Sequence, residues 1–389
     1  MQDELPGKMK SEREIKDAKS KGRVGMNYSL DQLLELVSES GASDLVISAG
    51  AAPQLRVNGL LEPVEEMVLE PSDTEELVHS TLTEEQIEAL HETRSLDFSR
   101  EFEGLARFRF NVFYQKDTLG LAARIIPFEI PGFEELGLPP IVRDFADRPH
   151  GLVLITGPAG SGKSTTLAAM LDYINQHRSY HIITIEDPIE YLHFHNKSII
   201  EQREVGTDAR SFAEALRCVF RQTPDVIMVG EMRDLETMEL ALTLAETGHL
   251  ILGTLHTQDT THSINRVADL FPHSQQEQVY AQLSLVLQGV ICQQLLLTGD
   301  GERRVLACEI MNANDAIRNL IRDAEVQQIY SVLQTGHGEG MRTMNESLLE
   351  LCATGLVDTE LAMRRSPRPK ELYSMLRYRK ILKQPAHSK

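Results

Sequence analysis

Residues 156–166, TGPAGSGKSTT, set three glycines, a lysine and five hydroxyl side chains in eleven positions. From Gly157 to Ser164 the spacing is G-x-x-x-x-G-K-S, the phosphate-cradling loop of nucleotide hydrolases. Glycine reaches dihedrals other residues avoid, so backbone N–H groups can close around phosphate oxygens. The expected cradle is Gly157, Pro158, Ala159, Gly160, Ser161, Gly162, Lys163, Ser164 and Thr165. Lys163 supplies a cation to the β- and γ-phosphates and Ser164 offers its hydroxyl to Mg²⁺. The implied ligands are ATP and Mg²⁺.

Three further stretches carry residue types suited to that chemistry. TIEDPIEYLH, residues 184–193, places Glu186, Asp187 and Glu190 where Pro188 must end a strand. A carboxylate there can orient the attacking water, because phosphoryl transfer depends on positioning and electrostatics. PDVIMVGEMRD, residues 224–234, is an apolar run ending in Gly230-Glu231. Its strand is expected beside the phosphate loop, with Glu231 linked to Mg²⁺. TGHLILGTLHT, residues 247–257, brackets an apolar strand with His249 and His256. Positions seven apart on a strand face opposite ways, so one histidine is expected toward the nucleotide and the other toward a neighbouring element. ARFRFNVFY alternates Phe108, Phe110 and Val112 with Arg107, Arg109 and Asn111. The arginine face is either a solvated surface or, joined by Arg124, a set of arginine fingers reaching a neighbouring subunit's nucleotide.

Positioning these groups takes two kinds of architecture. Residues 28–127 read as helices mixed with an antiparallel sheet: a helix capped by Ser29 or Asp31, strands at SDLVISAG and APQLRVNGLLEPV, a helical SDTEELVHSTLTEEQIEALHE, and two strands around KDTL. The Pro/Gly-rich residues 128–140 read as a linker. Beyond it GLVLIT, HIITIED, DVIMVGE and HLILGTLH alternate with helical segments, which predicts a mostly parallel sheet with chemistry at its strand ends. Near residues 312–334, Asn314 or Asp315 can cap a helix. Ile317, Leu320, Ile321 and Ala324 are spaced to pack inward, leaving Arg318, Asn319 and Arg322 outside the stripe.

Composition bounds the rest. No run of eighteen apolar residues predicts a membrane span. Residues 1–27 are polar and read as a flexible tail without a signal-peptide core. Cys218, Cys292, Cys308 and Cys352 form no C-x-x-C pair, which argues against a zinc site and fits a reducing cytosol. Of the net charge of −19, residues 364–389 hold nine Lys or Arg against one acidic residue, a net of +8 that leaves −27 elsewhere. The acidic body disfavours nucleic acid. The basic end is either a solvated tail or a contact for anionic lipid heads or an acidic partner.

GPAGSGKSTT, ITIEDPIEY, VIMVGEMRDLETMELALT, AETGHL, GTLHT and AIRNLIRD, in that order, resemble the motifs of the secretion-type hexameric ATPases. Among these the chain looks most like the type IV pilus retraction (twitching motility) ATPases, the PilT family, from about residue 28 to about residue 360. The resemblance implies an α/β fold in which a PAS-like α+β domain (28–127) precedes a RecA-like ATPase domain (141–345), with C-terminal helices and the basic tail at 346–389. It implies Glu190 as catalytic glutamate, Glu231 as the acidic partner of Mg²⁺, His249 and His256 as the family histidines, and Arg107, Arg109 and Arg124 as inter-subunit arginines. It also implies a cytoplasmic homohexamer on the inner-membrane face of the pilus machine. There it would work with a platform protein and a paralogous retraction ATPase, with peripheral membrane contact. Ala159 departs from the family's usual threonine, and REVGTD resembles the accessory retraction ATPases. An accessory role, a switch with little turnover, and pilus extension or secretion are the competing functions. Extension and secretion relatives usually carry a tetracysteine insert that this sequence lacks.

Overall fold

The computed structural model describes residues 28–381 except 58, 65, 103, 104, 127, 128 and 302. The expected tail at residues 1–27 and the last eight residues of the basic end lie outside the described residues. The chain divides into two compact units, the first ending at Ile126.

In the first unit, α1 (Leu30–Glu39) begins where Ser29 accepts the Gln32 N–H and Gln32 answers with its side chain. Strands β1 (Asp44–Ser48), β2 (Gln54–Val57) and β3 (Leu60–Pro63) follow. The stretch expected as one strand before Val64 is therefore a hairpin, turning at Gly59, whose φ is 85°. The single helical segment expected next is also two, α2 (Pro71–His79) and α3 (Glu84–Thr93). Thr83 forces the break, because its capping box with Gln86 starts a new helix. Strands β4 (Ser95–Phe102), β5 (Ala106–Gln115) and β6 (Thr118–Ile126) complete an antiparallel sheet of order β3-β2-β1-β6-β5-β4. β5 buries Ala106, Phe108, Phe110 and Val112, and its arginines stand on the other face, as the alternation predicts. β4 was not legible, because an edge strand with neither face fully buried shows no alternation.

The second unit starts with Phe133 and Leu138 packed under α4 (Ile141–Ala146). Then come β7 (Gly151–Thr156), α5 (Lys163–His177), β8 (His181–Glu186), β9 (Ile199–Glu204), α6 (Phe212–Val219) and β10 (Val226–Val229). After these come α7 (Leu235–Glu246), β11 (Leu250–Leu255), α8 (Thr260–Asp269), α9 (Gln276–Val286), β12 (Leu287–Leu297) and β13 (Arg304–Asn312). The sheet order is β13-β12-β7-β11-β10-β8-β9, parallel except for the β12/β13 pair. β7, β10 and β11 are buried along their whole length, which is why they read as unbroken apolar runs. Their side chains alternate between two cores: Leu152, Leu154 and Ile251 enter one, Val153, Ile155 and Leu250 the other.

α10 (Asp315–Arg322), α11 (Ile329–Leu333), α12 (Met344–Ala353), α13 (Thr359–Arg365) and α14 (Pro369–Tyr378) close the unit. Asn314 caps α10, and Ile317 and Ile321 are buried as expected. One expectation fails here. Ala324 does not pack inward: the helix stops at Arg322, and Ala324 is exposed with a φ of 56°. Arg318 lies outside the buried stripe, as expected, and is half-buried against α9. Its Nη1 donates to Ser284 O and Leu285 O, both at 2.8 Å, closing the last turn of α9. Burial consequently lowers its pKa.

Gly289, where β12 shifts register against β7, leaves room for the Phe145 ring of α4. A methyl group there would overlap that ring. Gly289→Ala should therefore cost about 1–3 kcal/mol in chemical denaturation. Combined with Phe145→Leu the loss should be less than additive; strict additivity would show that the ring is not the obstacle.

Candidate active site

The phosphate loop is built by the turn from β7 into α5. Gly157 has a φ of 143°, and a Cβ on it would lie 2.6 Å from Ser161 Oγ and overlap Gln293 O of β12. Gly162, at φ 89°, caps α5 without a side chain, which leaves the first N–H groups of that helix open. Lys163 is buried and its Nζ donates to Gly157 O (2.9 Å) and Pro158 O (3.1 Å). Burial lowers its pKa, and the carboxylates of Glu231 and Glu190 oppose that. Ser161 Oγ is buried with no hydrogen-bond partner among the described residues. Pro158, Ala159 and Gly160 form the exposed rim. An N–H-lined turn holding a buried ammonium group and an orphaned hydroxyl fits a phosphate chain.

The cleft beside this loop is walled by Ser164, Glu186, Glu190, Tyr191, His193, Glu231, Arg233 and His256. Glu186, the last residue of β8, is buried; it accepts bonds from Thr184 Oγ1 (2.6 Å) and Gln202 Nε2 (3.0 Å). Burial pushes its carboxyl up to about 7. Glu190 stands four residues on, exposed to the cleft. Burial also lowers the His193 imidazole to about 4, so it is neutral. Thr165 Oγ1 meets Tyr191 OH at 3.0 Å, tying the loop after β8 to α5.

Glu231 follows β10, but that strand does not lie beside the phosphate loop as expected. β10 pairs with β8 and β11, and β11 separates it from β7. Glu231 still reaches the cleft, where His256 Nε2 lies 2.9 Å from its Oε1 and Arg233 Nε pairs with the same oxygen. His249 is not brought to this cleft. It precedes β11 at the opposite end from His256, bonded to Thr247 Oγ1 and Leu244 O. Arg107, Arg109 and Arg124 lie on β5 and β6 of the first unit. Arg109 pairs with Asp97 at 3.9 Å and Arg124 with Asp44 at 2.7 Å. The sequence reading missed Arg233, Gln202 and Gln293. Arg233 sat in plain view two residues after Glu231, whereas the two amides carry no motif of their own.

Residues 132–316 match the type II/IV secretion system protein family. Over 340 residues the chain is 47% identical to the type IV pilus retraction ATPase PilT of Pseudomonas aeruginosa, covering 87% of this chain and 98% of that one. The chain belongs to the PilT family. The type IV pilus ATPase PilU of the same organism is 40% identical over 347 residues, covering 89% and 91% of the two chains. A crystal structure of the pilus retraction motor PilT with bound ADP matches with a TM-score of 0.83 and 51% identity, over 88% of this chain and 99% of that one. The two-unit α/β fold is thus the PilT fold, with a RecA-like ATPase unit second. No helix among the described residues is long and apolar enough to cross a membrane.

Because the carboxyl of Glu186 is raised from 4.5 to about 7, it contributes most to stability below pH 4.5, and that contribution is lost as pH climbs through 7. Glu186→Gln cannot titrate. The melting temperature of the variant relative to wild type should therefore rise from pH 5 to pH 8, by a stability difference of about 1–3 kcal/mol. A pH-independent difference would mean that Glu186 stays ionised in the fold.

Proposed function

We propose that this protein is a motor that couples ATP hydrolysis to type IV pilus retraction, working as a ring of six copies. The observation that carries the reading is the convergence of Lys163, Glu190 and the Glu231–His256–Arg233 group on one cleft at the carboxyl ends of parallel strands. Family membership supports retraction as the work done, since the 47% identity to PilT exceeds the 40% identity to PilU.

In this reading Lys163 and the open N–H groups of α5 hold the β- and γ-phosphates, and Glu190 orients the attacking water. Among the described residues no cluster of three His, Cys, Asp or Glu side chains could hold a metal ion alone. Ser164 and Glu231 would therefore hold Mg²⁺ together with the nucleotide, the usual arrangement for this ion. When bound it supplies positive charge to the phosphate oxygens. His256 and Arg233 fix the Glu231 carboxylate meanwhile. Arg107, Arg109 and Arg124 are assigned to a neighbouring copy's nucleotide, and His249 is left outside this chain's cleft. The proposed partners are an inner-membrane platform protein and a paralogous retraction ATPase at the cytoplasmic face, with no nucleic acid.

Lys163→Ala should abolish both nucleotide binding and hydrolysis. Glu190→Gln should keep binding within about threefold while kcat falls by about 10²-fold or more. A wild-type rate in Glu190→Gln would transfer the role to Glu186. In the native host, loss of the gene should leave cells with excess surface pili and no twitching; bald cells would indicate extension instead.

The helix α10 is the proposed site where hydrolysis meets the pilus machine, as its AIRNLIRD stretch resembles the family's retraction motif. Asn319 and Arg322 are exposed on it, whereas Arg318 is spent on α9. Asn319→Ala should abolish twitching with ATPase activity within about twofold of wild type. Arg318→Ala should also lower stability by about 1–2 kcal/mol, because it uncaps two carbonyls. Normal motility of Asn319→Ala would remove α10 from coupling.

A further inference from the structure

Glu190 lies in a loop between β8 and β9 that carries no regular hydrogen-bond ladder of its own. Something else must fix its backbone. The loop is gripped from β9 by one carboxamide, Gln202. Its Nε2 donates to Glu186 Oε1 at 3.0 Å and to Tyr191 O at 2.8 Å. Its Oε1 accepts the His193 N–H at 2.8 Å. The grip therefore includes the residue that opens the loop and two that follow Glu190. Glu204, two residues along the same strand, accepts the Ile189 N–H at 3.2 Å, and the Glu190 N–H bonds back to Glu186. The backbone around Glu190 is thus held at Ile189, Glu190, Tyr191 and His193, and its carboxylate is the group left facing the cleft.

Only a carboxamide of this length satisfies the pattern. Glutamate would lose both donors and set a second carboxylate against Glu186. Leucine has neither donor nor acceptor, and asparagine is one methylene short of reaching three partners.

We propose that Gln202 is the positioning residue for Glu190, holding the loop backbone so that the Glu190 carboxylate keeps its place over the phosphate loop. The proposal rests on the assignment of Glu190 as the water-orienting group. Displacing such a group by an ångström is enough to cost about 10²-fold in rate without touching the phosphate contacts.

The test is a double-mutant cycle on the full-length protein. Turnover and single-turnover ATP hydrolysis are measured for Gln202→Leu, Glu190→Gln and the combination, with affinity for a non-hydrolysable ATP analogue in parallel. Gln202→Leu is expected to lower kcat about 10- to 100-fold with analogue affinity within about twofold. In the Glu190→Gln background the same change should alter the residual rate by less than about twofold, because the residue it positions is already disabled. If Gln202→Leu does not fold, Gln202→Asn gives the same readouts with a polar side chain kept in place. A wild-type kcat, or an equal loss of rate in both backgrounds, overturns the role of Gln202 while leaving Glu190 as assigned. A wild-type rate for Glu190→Gln alone overturns the assignment of Glu190 and the positioning role with it.

Discussion

The position of Gly157 admits no side chain, and the rest of the second unit is arranged around that restriction. The space a Cβ would fill is taken by Ser161 Oγ and by the backbone oxygen of Gln293 on β12. The loop can be this tight only because β12 lies directly beside β7 in parallel register. The same residue reaches past the loop: Gln293 Nε2 donates to Thr166 Oγ1 at 2.7 Å, in the first turn of α5. One buried residue of a neighbouring strand thereby braces both ends of the phosphate loop, and Lys163 between them has its reach set by backbone rather than by its own flexible stem.

Three glutamates meet in this cleft, and their surroundings make them chemically different. Burial favours the neutral form of Glu186 against the pull of the hydrogen bonds it accepts, and those bonds suit it to a structural tie. Glu231 is shared between an imidazole and a guanidinium group, which hold its orientation. Glu190 is exposed, leaving its carboxylate free to meet a ligand. A side chain's identity thus says little about its part in the chemistry; neighbours three residues or three strands away decide it.

Much of this was legible from residue order alone, for physical reasons. The phosphate loop needs glycine, lysine and serine at fixed spacing, so its chemistry is written in consecutive residues. β7, β8, β10 and β11 announce themselves as apolar runs because both their faces are buried. What stayed hidden depends on pairing between distant segments. The strand order that puts β11 between β10 and β7 leaves no local trace. β4 and the β2/β3 hairpin lie toward the sheet edges, where burial is too slight to impose a period. Gln202 and Gln293 are ordinary amides until the fold brings them to a loop, and the partner of Arg318 stayed hidden because helical spacing shows which face is polar but not what that face touches.

The fastening of Arg318 to the end of α9 has a mechanical consequence. α9 passes without a connecting residue from Val286 into β12 at Leu287, and β12 is the strand that braces Gly157. The exposed side of α10 is thus joined to the glycine-rich loop by an unbroken run of contacts: Arg318 onto the end of α9, α9 directly into β12, and Gln293 of β12 against Gly157.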